Sequence, residues 1–175
     1  IKLKKKVIII DNLSTGFKEL VNKKSKFYKK NILNTKKIKQ VILDNKIDSI
    51  IHLAGSLSIN IGEKYPRKYF KNNVVGSKNL LKACIGTKVK NFLFSSSAAV
   101  YKDGLYKVSE NSILKPKSVY GKTKLQAEKV IKKECKFHKI NYGILRFFNV
   151  VGASSSGKIG LINKGGHLFK NFSSE

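Results

Sequence analysis

The sequence predicts an α/β fold built on a doubly wound, parallel β-sheet. Short apolar runs alternate along the chain with longer segments of helical periodicity, which is the pattern of strands joined by helical crossovers. Small or polar residues follow the apolar runs at Asp11, Gly55, Ser97 and Asn149. Since ligands of parallel sheets bind beyond the carboxyl ends of the strands, these positions predict a binding cleft.

Each element follows from its local pattern. The run at 6–11 is β-branched and ends in an acidic residue, as a buried parallel strand does. Asn34 or Thr35 can cap a helix that begins there, and the adjacent residues Asn72 and Asn73 predict a break in a longer helical segment. Strands are predicted at 6–11, 26–30, 49–53, 91–95 and 141–147, and helices at 35–45, 65–87 and 118–138, the last with Leu125, Val130, Ile131 and Cys135 facing inward.

The composition suits one domain, or one domain and part of another. The chain has 175 residues and is 41% hydrophobic, which is enough for a core, and no apolar run reaches the roughly 18 residues of a membrane span. Cys84 and Cys135 have neither a metal-binding nor a disulfide spacing, and we expect both, like His52 within its strand, to lie in the core. A reducing cytoplasm and no metal site are therefore expected.

The formal net charge of +27 raises the question of nucleic acid. Of the 37 basic residues only Arg67 and Arg146 are arginines, although arginine is the usual reader of bases and phosphate groups. The lysines are spread along the whole chain instead of forming one block. This distribution favours weak, salt-dependent binding of polyanions and argues against a dedicated nucleic-acid binder.

Tyr120 and Lys124 are the strongest candidates for chemistry. Four residues apart in a predicted helix, they share one face, with their Cβ atoms about 5–6 Å apart. A tyrosine phenol has a pKa of about 10, and a neighbouring ammonium group lowers it. The pair therefore predicts a general base that works closer to neutral pH. Because lysine is so frequent here, the alternative is a surface tyrosine beside a solvated lysine.

The residues at the strand ends each have two interpretations. Asp11 could bind ribose hydroxyl groups and select NAD over NADP, or it could cap the following turn. Ala54 and Gly55 could let a cofactor approach the backbone, or they could form an ordinary tight turn. Ser97 could pass a proton between a substrate and Tyr120, or it could belong to a common serine-rich turn.

Six short segments extend this picture. They are DNLSTG at 11–16, IHLAG at 51–55, NNVVGS at 72–77, SSSAAVY at 95–101, YGKTKL at 120–125 and RFFNVVGA at 146–153. In this order and spacing the chain resembles the extended short-chain dehydrogenase/reductase family over residues 7–153, and within it the enzymes that epimerise UDP-hexoses. Leu57 departs from the pattern, since the family often has lysine there.

The resemblance implies a cofactor site and a substrate site that share residues. Ser97, Tyr120 and Lys124 would be catalytic, and the cofactor would be NAD. Asn73 competes with Asn72 for one cofactor contact. The implied cofactor residues are Asp11, Asn12, Asn31, Ile32, Leu53, Ala54, Gly55, Asn72, Ser95, Tyr120, Lys124 and Phe147, and the implied substrate residues are Ser97, Tyr120, Phe148, Asn149, His167 and Leu168.

The implied function is NAD-dependent 4-epimerisation of a UDP-hexose, such as UDP-glucose or UDP-galactose, through a 4-keto intermediate. Tyr120 as phenolate would take the proton of the sugar 4-hydroxyl group, helped by Ser97. The implied partners are a UDP-sugar substrate and a second copy of the full-length protein, without specific nucleic acid or a membrane. Two alternatives stay open: another nucleotide-sugar epimerase, dehydratase or reductase of the family, and a non-catalytic NAD-binding or interaction protein on the same fold.

The resemblance further predicts a Rossmann-type sheet that lacks its first strand. The family opens with a strand and a Gly-rich turn, G-x-x-G-x-x-G, that cradles the pyrophosphate, and neither stands before Asp11. Because that strand lies in mid-sheet, the strands at 6–11 and 49–53 should each lose a neighbour.

The chain begins at Ile1 and contains no methionine, so we expect an internal piece of a longer protein. Residues 1–153 would be an incomplete NAD-binding domain and residues 154–175 the start of a truncated substrate-binding region. Expressed alone, the chain should fold poorly, be inactive and lack tight NAD binding.

Overall fold

A computed structural model describes residues 5–150, and it confirms the alternation of strands and helices. The strands are β1 (Ile8–Asp11), β2 (Lys26–Lys29), β3 (Ser49–His52), β4 (Asn91–Ser97) and β5 (Asn141–Phe147). The α-helices are α1 (Thr35–Asp44), α2 (Ile59–Lys64), α3 (Pro66–Phe70), α4 (Gly76–Cys84) and α5 (Val119–Phe137). The predicted substrate-binding region, 154–175, lies outside the described residues.

The strands form two parallel sheets instead of one. β1 pairs with β2, and β4 lies between β3 and β5. Within residues 5–150, no strand pairs with the second edge of β1 or of β3, which is the arrangement predicted for a sheet without its first strand. As a consequence Ile51 on β3, an apolar residue in a strand that was expected to be central, is 66% exposed.

The core lies between the three-stranded sheet and one layer of helices. Phe92 and Phe94 on β4 are almost fully buried, and α1 contacts α4, which in turn contacts α5. Cys84 and Cys135 are buried free thiols, as expected, whereas Leu125 and Val130 are only half-buried. The core cluster consists of Ile38, Ile42, Leu80, Leu81, Ala83, Cys84, Val89, Phe92, Phe94, Ala127, Ile131, Cys135 and Ile140.

Side-chain caps set where the two best-predicted helices begin. Asn34 Oδ1 accepts a hydrogen bond from the backbone N–H of Lys37 at 3.0 Å at the start of α1. Ser118 Oγ accepts one from the backbone N–H of Gly121 at 3.0 Å at the start of α5. Such caps satisfy donors that the first helical turn leaves unpaired, so the sequence determines both starting points locally.

The segment predicted at 65–87 differs from expectation in two ways. A π-helical turn over Lys71–Val75 joins α3 to α4, and the residues on both sides of it keep helical backbone angles, so the chain does not break at the two asparagines. In addition, α2 precedes this segment and was not predicted. Its Ile59 and Ile61 are exposed, which explains why no amphipathic pattern indicated a helix.

His52 is the buried core histidine that the sequence predicted. It is 2% exposed, and its Nε2 atom lies 2.8 Å from Ser77 Oγ. Burial lowers the pKa of His52 from 6.5 to about 3, and the Lys124 ammonium group acts in the same direction. The ring is therefore neutral in the folded protein over the whole physiological range.

This burial predicts an acid-sensitive stability. Below pH 6.5 the unfolded chain binds a proton at His52 that the folded chain does not bind, so stability is lost as pH falls from 6.5 towards 3. In the intact protein, His52→Gln should reduce the difference in unfolding free energy between pH 7 and pH 5 by about 2 kcal/mol. Urea titrations at the two pH values measure this difference.

The matched control is Gln126→Asn, which changes an exposed side chain on α5 that carries no titratable group. Its pH dependence should follow that of the unmodified protein. An identical pH dependence for the His52 and Gln126 variants would contradict the assignment.

Candidate active site

The first turn of α5 lies directly against the turn that follows β4. Ser97 closes β4, and its Oγ accepts a hydrogen bond from the backbone N–H of Ala99 at 3.2 Å. A Cβ atom at Gly121 would overlap the carbonyl oxygen of Ala99. Glycine therefore permits the close approach of helix and turn, and this approach brings Tyr120 beside Ser97.

The environment of Tyr120 corrects one expectation. Burial raises the pKa of Tyr120, and hydrogen bonding with Ser97 opposes this rise only in part. Lys124 does not lower that pKa as expected, because its Nζ atom lies 5.9 Å from the centre of the Tyr120 ring and donates to the carbonyl oxygen of Ser95 at 2.7 Å. Tyr120 is therefore a protonated phenol near neutral pH, and it becomes a base only when positive charge lies closer to its oxygen.

Lys124 connects the ends of two strands. It is 2% exposed and lies 4.8 Å from the ring centre of Phe94. A Cβ atom built on Gly55, after β3, would lie 3.4 Å from Lys124 Nζ. Burial lowers the pKa of Lys124 to about 8, although the Glu128 carboxylate acts in the opposite direction. The charge of Lys124 therefore changes within the pH range in which many enzymes work.

A cleft of about 200 Å³ lies at the carboxyl ends of β1 and β3. Asp11 Oδ1 accepts the backbone N–H of Leu13 at 2.6 Å, so Asp11 does close the following turn. A Cβ atom at Gly16 would lie only 3.3 Å from Asp11 Oδ2, and glycine keeps that side of the carboxylate free of a side chain. Seven predicted cofactor residues line this cleft: Asp11, Asn12, Ile32, Leu53, Ala54, Gly55 and Asn72.

The two neighbouring asparagines have different environments. Asn72 lines the cleft, and its Nδ2 donates to Ser56 Oγ at 3.0 Å. Asn73 is 3% exposed; its Oδ1 accepts the backbone N–H of Ser56 at 2.7 Å, and its Nδ2 donates to Thr123 Oγ1 at 3.0 Å. Asn72 is therefore the one that a ligand in the cleft can meet, while Asn73 ties the loop after β3 to α5.

Other predicted site residues lie outside this cleft. Asn31 is exposed, and its Oδ1 accepts the backbone N–H of Leu33 at 2.9 Å. Phe147 and Phe148 line a second cleft of about 590 Å³ next to β5, and Asn149 is exposed. Ser95 contributes its backbone carbonyl to Lys124. His167 and Leu168 lie outside the described residues.

Sequence reasoning missed the roles of Gly121, Asn73 and Glu128. Gly121 and Asn73 act through close packing and tertiary hydrogen bonds, which no local pattern indicates. Glu128 is different: it stands four residues after Lys124, so the same helical spacing that identified Tyr120 and Lys124 placed it on their face.

The described residues contain neither a metal-binding cluster nor a membrane-crossing helix. No group of three or more His, Cys, Asp and Glu side chains could hold a metal ion there. No helix in residues 5–150 combines the length and the apolar character that crossing a membrane requires.

The fold and the site together define a parallel α/β protein with a cleft at its strand ends and a tyrosine and a lysine paired on one helix. The sequence profile described as "NAD dependent epimerase/dehydratase family" matches residues 1–165. The chain belongs to this family.

Several similar proteins with curated names are UDP-glucose 4-epimerases. The protein of that name from Lactobacillus helveticus is 41% identical over 157 residues, which cover 88% of this chain and 47% of the relative. The one from Haemophilus influenzae is 34% identical over 166 residues. The chain thus spans about half the length of the curated relatives it matches.

Solved structures give the same result. The UDP-glucose 4-epimerase from Brucella ovis in complex with NAD has a TM-score of 0.86 and 32% identity, covering 91% of this chain and 49% of that one. The enzyme from Stenotrophomonas maltophila, with bound NAD and formylated UDP-arabinopyranose, has a TM-score of 0.87 and 28% identity, covering 94% and 52%. The Rossmann-like fold predicted from the sequence is therefore confirmed.

The close approach at Gly121 is testable. Gly121→Ala in the intact protein should displace the first turn of α5, because its methyl group meets backbone and not a flexible side chain. The expected loss of unfolding free energy is about 1–3 kcal/mol, measured by urea unfolding. Lys122→Ala, at the exposed neighbouring position, is the control, and equal stability of the two variants would contradict the argument.

Proposed function

We propose that the intact protein catalyses the NAD-dependent 4-epimerisation of a UDP-hexose, interconverting UDP-glucose and UDP-galactose. The observation that carries this proposal is the meeting of Ser97, Tyr120 and Lys124 at the edge of the cleft that contains Asp11. Gly55 belongs to that cleft and lies against Lys124 Nζ, so the cleft and the candidate catalytic group are continuous. The names of the similar proteins support the same reaction.

The residues of the cleft fit NAD. A carboxylate at the end of a parallel strand suits the ribose hydroxyl groups and repels a 2′-phosphate, and Asp11 occupies this place. Gly16, Ala54 and Gly55 leave room for a ligand near the backbone, whereas Leu57 adds an apolar wall. Lys124 and Tyr120 would face the nicotinamide half, with Ser95, Asn31 and Phe147 as further proposed contacts. NAD⁺, when bound, would supply a reversible hydride acceptor for the sugar C4.

The residues of the chain would manage the proton. Tyr120 would first lose its own proton to solvent. As a phenolate it would then accept the proton of the sugar 4-hydroxyl group and become a neutral phenol, and it would return that proton to the 4-oxygen when the epimer forms. Since burial raises the pKa of Tyr120, the ammonium group of Lys124 would have to lie closer to the phenol oxygen than it does here in order to stabilise the phenolate. Ser97, which lies beside Tyr120, would hold the 4-oxygen and relay the proton.

The substrate would extend from this group towards the residues after β5. Phe148 and Asn149 follow that strand directly. Phe148 is 64% exposed, so this apolar side chain is available to pack against a bound ligand. His167 and Leu168 are further proposed contacts with the UDP part. On this proposal, residues 1–153 supply the NAD-binding unit and residues 154–175 begin the substrate-binding region.

Turnover of UDP-galactose to UDP-glucose by the full-length protein tests the proposal. Tyr120→Phe should lower kcat by about 10²–10⁴-fold, because it removes the group that moves the proton. Tyr106→Phe is the matched control, since Tyr106 is 96% exposed, and it should leave kcat unchanged. Undiminished turnover in the Tyr120 variant would refute the catalytic assignment.

The same assay separates the alternatives. A protein that binds NAD but forms no UDP-glucose, and that acts on another nucleotide sugar, would be a different enzyme of the family. NAD binding without turnover of any nucleotide sugar would indicate a non-catalytic protein.

Asp11 predicts the choice of cofactor. Asp11→Asn should weaken NAD binding about 10-fold or more, because hydrogen bonds to a charged group contribute about 1.5–3 kcal/mol. It should also reduce the ratio of the affinity for NAD to the affinity for NADP. Isothermal titration of the full-length protein with each cofactor measures both effects. Asp44→Asn, on the exposed side of α1, should change neither, and an unchanged affinity in the Asp11 variant would contradict the assignment.

We further propose that the full-length protein is a cytoplasmic homodimer that binds no nucleic acid specifically. Light scattering should give twice the mass of one chain, and a monomer would contradict this. Any binding to DNA should be independent of sequence and should disappear as salt is raised.

A further inference from the structure

A buried ion pair lies one helical turn beyond Lys124. Glu128 on α5 is 1% exposed, and both of its carboxylate oxygens accept hydrogen bonds from Arg146 on β5: Oε1 from Nε at 3.0 Å and Oε2 from Nη2 at 2.8 Å. Ser96 Oγ, on β4, donates to the same Oε1 at 2.6 Å. One carboxylate therefore joins a helix to two neighbouring strands, through the two-pronged geometry that only arginine offers.

The other side of Arg146 is also held. Its Nη1 donates to the hydroxyl oxygen of Tyr101 at 3.1 Å and to the carbonyl oxygen of Glu110 at 3.1 Å, and the guanidinium carbon lies 5.0 Å from the centre of the Tyr101 ring. Arginine is rare in this lysine-rich chain. A lysine at this position would present a single ammonium group and could not make these contacts at once.

The ion pair touches the immediate neighbours of the candidate catalytic residues. Ser96 stands between Ser95, whose carbonyl accepts from Lys124, and Ser97. Ser96 is also the register partner of Arg146, just as Ser97 is the partner of Phe147. Any shift of α5 along β4 that broke the Glu128 contacts would therefore move Lys124 away from its own contact.

We propose that Glu128, held by Arg146 and Ser96, is a positioning residue that fixes α5 on the sheet and so keeps Tyr120 and Lys124 in place beside Ser97. This inference rests on the proposed function only for its effect on turnover. Glu128 itself contacts neither the cleft nor the place of the sugar, so it acts through the residues it positions.

The carboxylate also favours the charged form of Lys124, against the larger effect of burial on the pKa of that residue. On α5 itself, two titratable side chains lie near Lys124, namely Tyr120 and Glu128. From the sheet, β3 contributes the neutral His52 and β4 contributes a backbone carbonyl. Of these groups only Glu128 is negative and favours the ammonium form. Removing its charge should therefore move the titration of Lys124 to a lower pH.

The test uses Glu128→Gln in the full-length protein, with Glu134→Gln, a half-buried glutamate on the same helix, as the matched control. The ¹³Cε chemical shift of Lys124, assigned with Lys124→Arg, should titrate at a lower pH in the Glu128 variant and as in the unmodified protein in the control. The kcat should fall about 10-fold or more, its loss at alkaline pH should begin at a lower pH, and KM should change less than kcat.

Arg146→Lys separates geometry from charge. It keeps the carboxylate and a cation but removes the two-pronged contact, so kcat should fall while the midpoint of the Lys124 titration stays near that of the unmodified protein. Arg146→Lys also tests the proposal if Glu128→Gln does not fold, because the Glu128 carboxylate keeps a cation beside it in this variant.

Two results would overturn the inference. In the first, Glu128→Gln has the same Lys124 titration and the same kcat–pH profile as the unmodified protein, and only its unfolding free energy is lower. Such a result would mean that the ion pair has a structural role alone. The other is an Arg146→Lys variant with full kcat. The titration of Lys124 needs no turnover, so a full-length protein without epimerase activity would defeat the proposed function and still leave this measurement decisive for Glu128.

Discussion

Helix α5 contacts three consecutive serines of β4 with side chains that follow one another at intervals of one helical turn. Tyr120 lies beside Ser97, which acts to lower its pKa, Lys124 donates to the carbonyl oxygen of Ser95, and Glu128 accepts from Ser96. The rest of the site depends on this row of contacts, because the loop after β3 contacts α5 through Lys124 and Thr123. A helix displaced by a fraction of a turn would lose all three contacts together.

The same row places charges where a folded chain normally avoids them. Lys124 and Glu128 are both almost fully buried, and burying a charge costs free energy unless hydrogen bonds and an opposite charge compensate. Arg146 compensates Glu128, but Lys124 has only a carbonyl oxygen and a more distant carboxylate, so its pKa falls to about 8. A lysine kept in such a place at a cost in stability is typical of a functional site.

Much of the fold could be predicted because its signals are local. All five strands follow from short apolar or aromatic runs, and the start of α1 follows from a single capping side chain. Asp11 and Gly55 were found because strand ends of a parallel sheet meet at one edge, whereas Asn72 was found through the family resemblance. The π-helical turn could not be predicted, since Asn73 is held by Ser56 and Thr123, which are distant in sequence. The raised pKa of Tyr120 was missed for a related reason. Spacing on a helix predicts that two side chains are close, but burial and the direction of the Lys124 side chain decide whether the pKa of Tyr120 rises or falls.

The central claim is that the Tyr120 hydroxyl group is the atom that exchanges a proton with the sugar. A crystal structure of the full-length protein with NAD and UDP-glucose would test it most directly. The account predicts that the Tyr120 hydroxyl oxygen lies within hydrogen-bonding distance, about 2.5–3.0 Å, of the sugar 4-oxygen, with Ser97 Oγ on the same oxygen. A sugar whose 4-oxygen contacts neither residue, with the Tyr120 hydroxyl group turned away from the cleft, would contradict it.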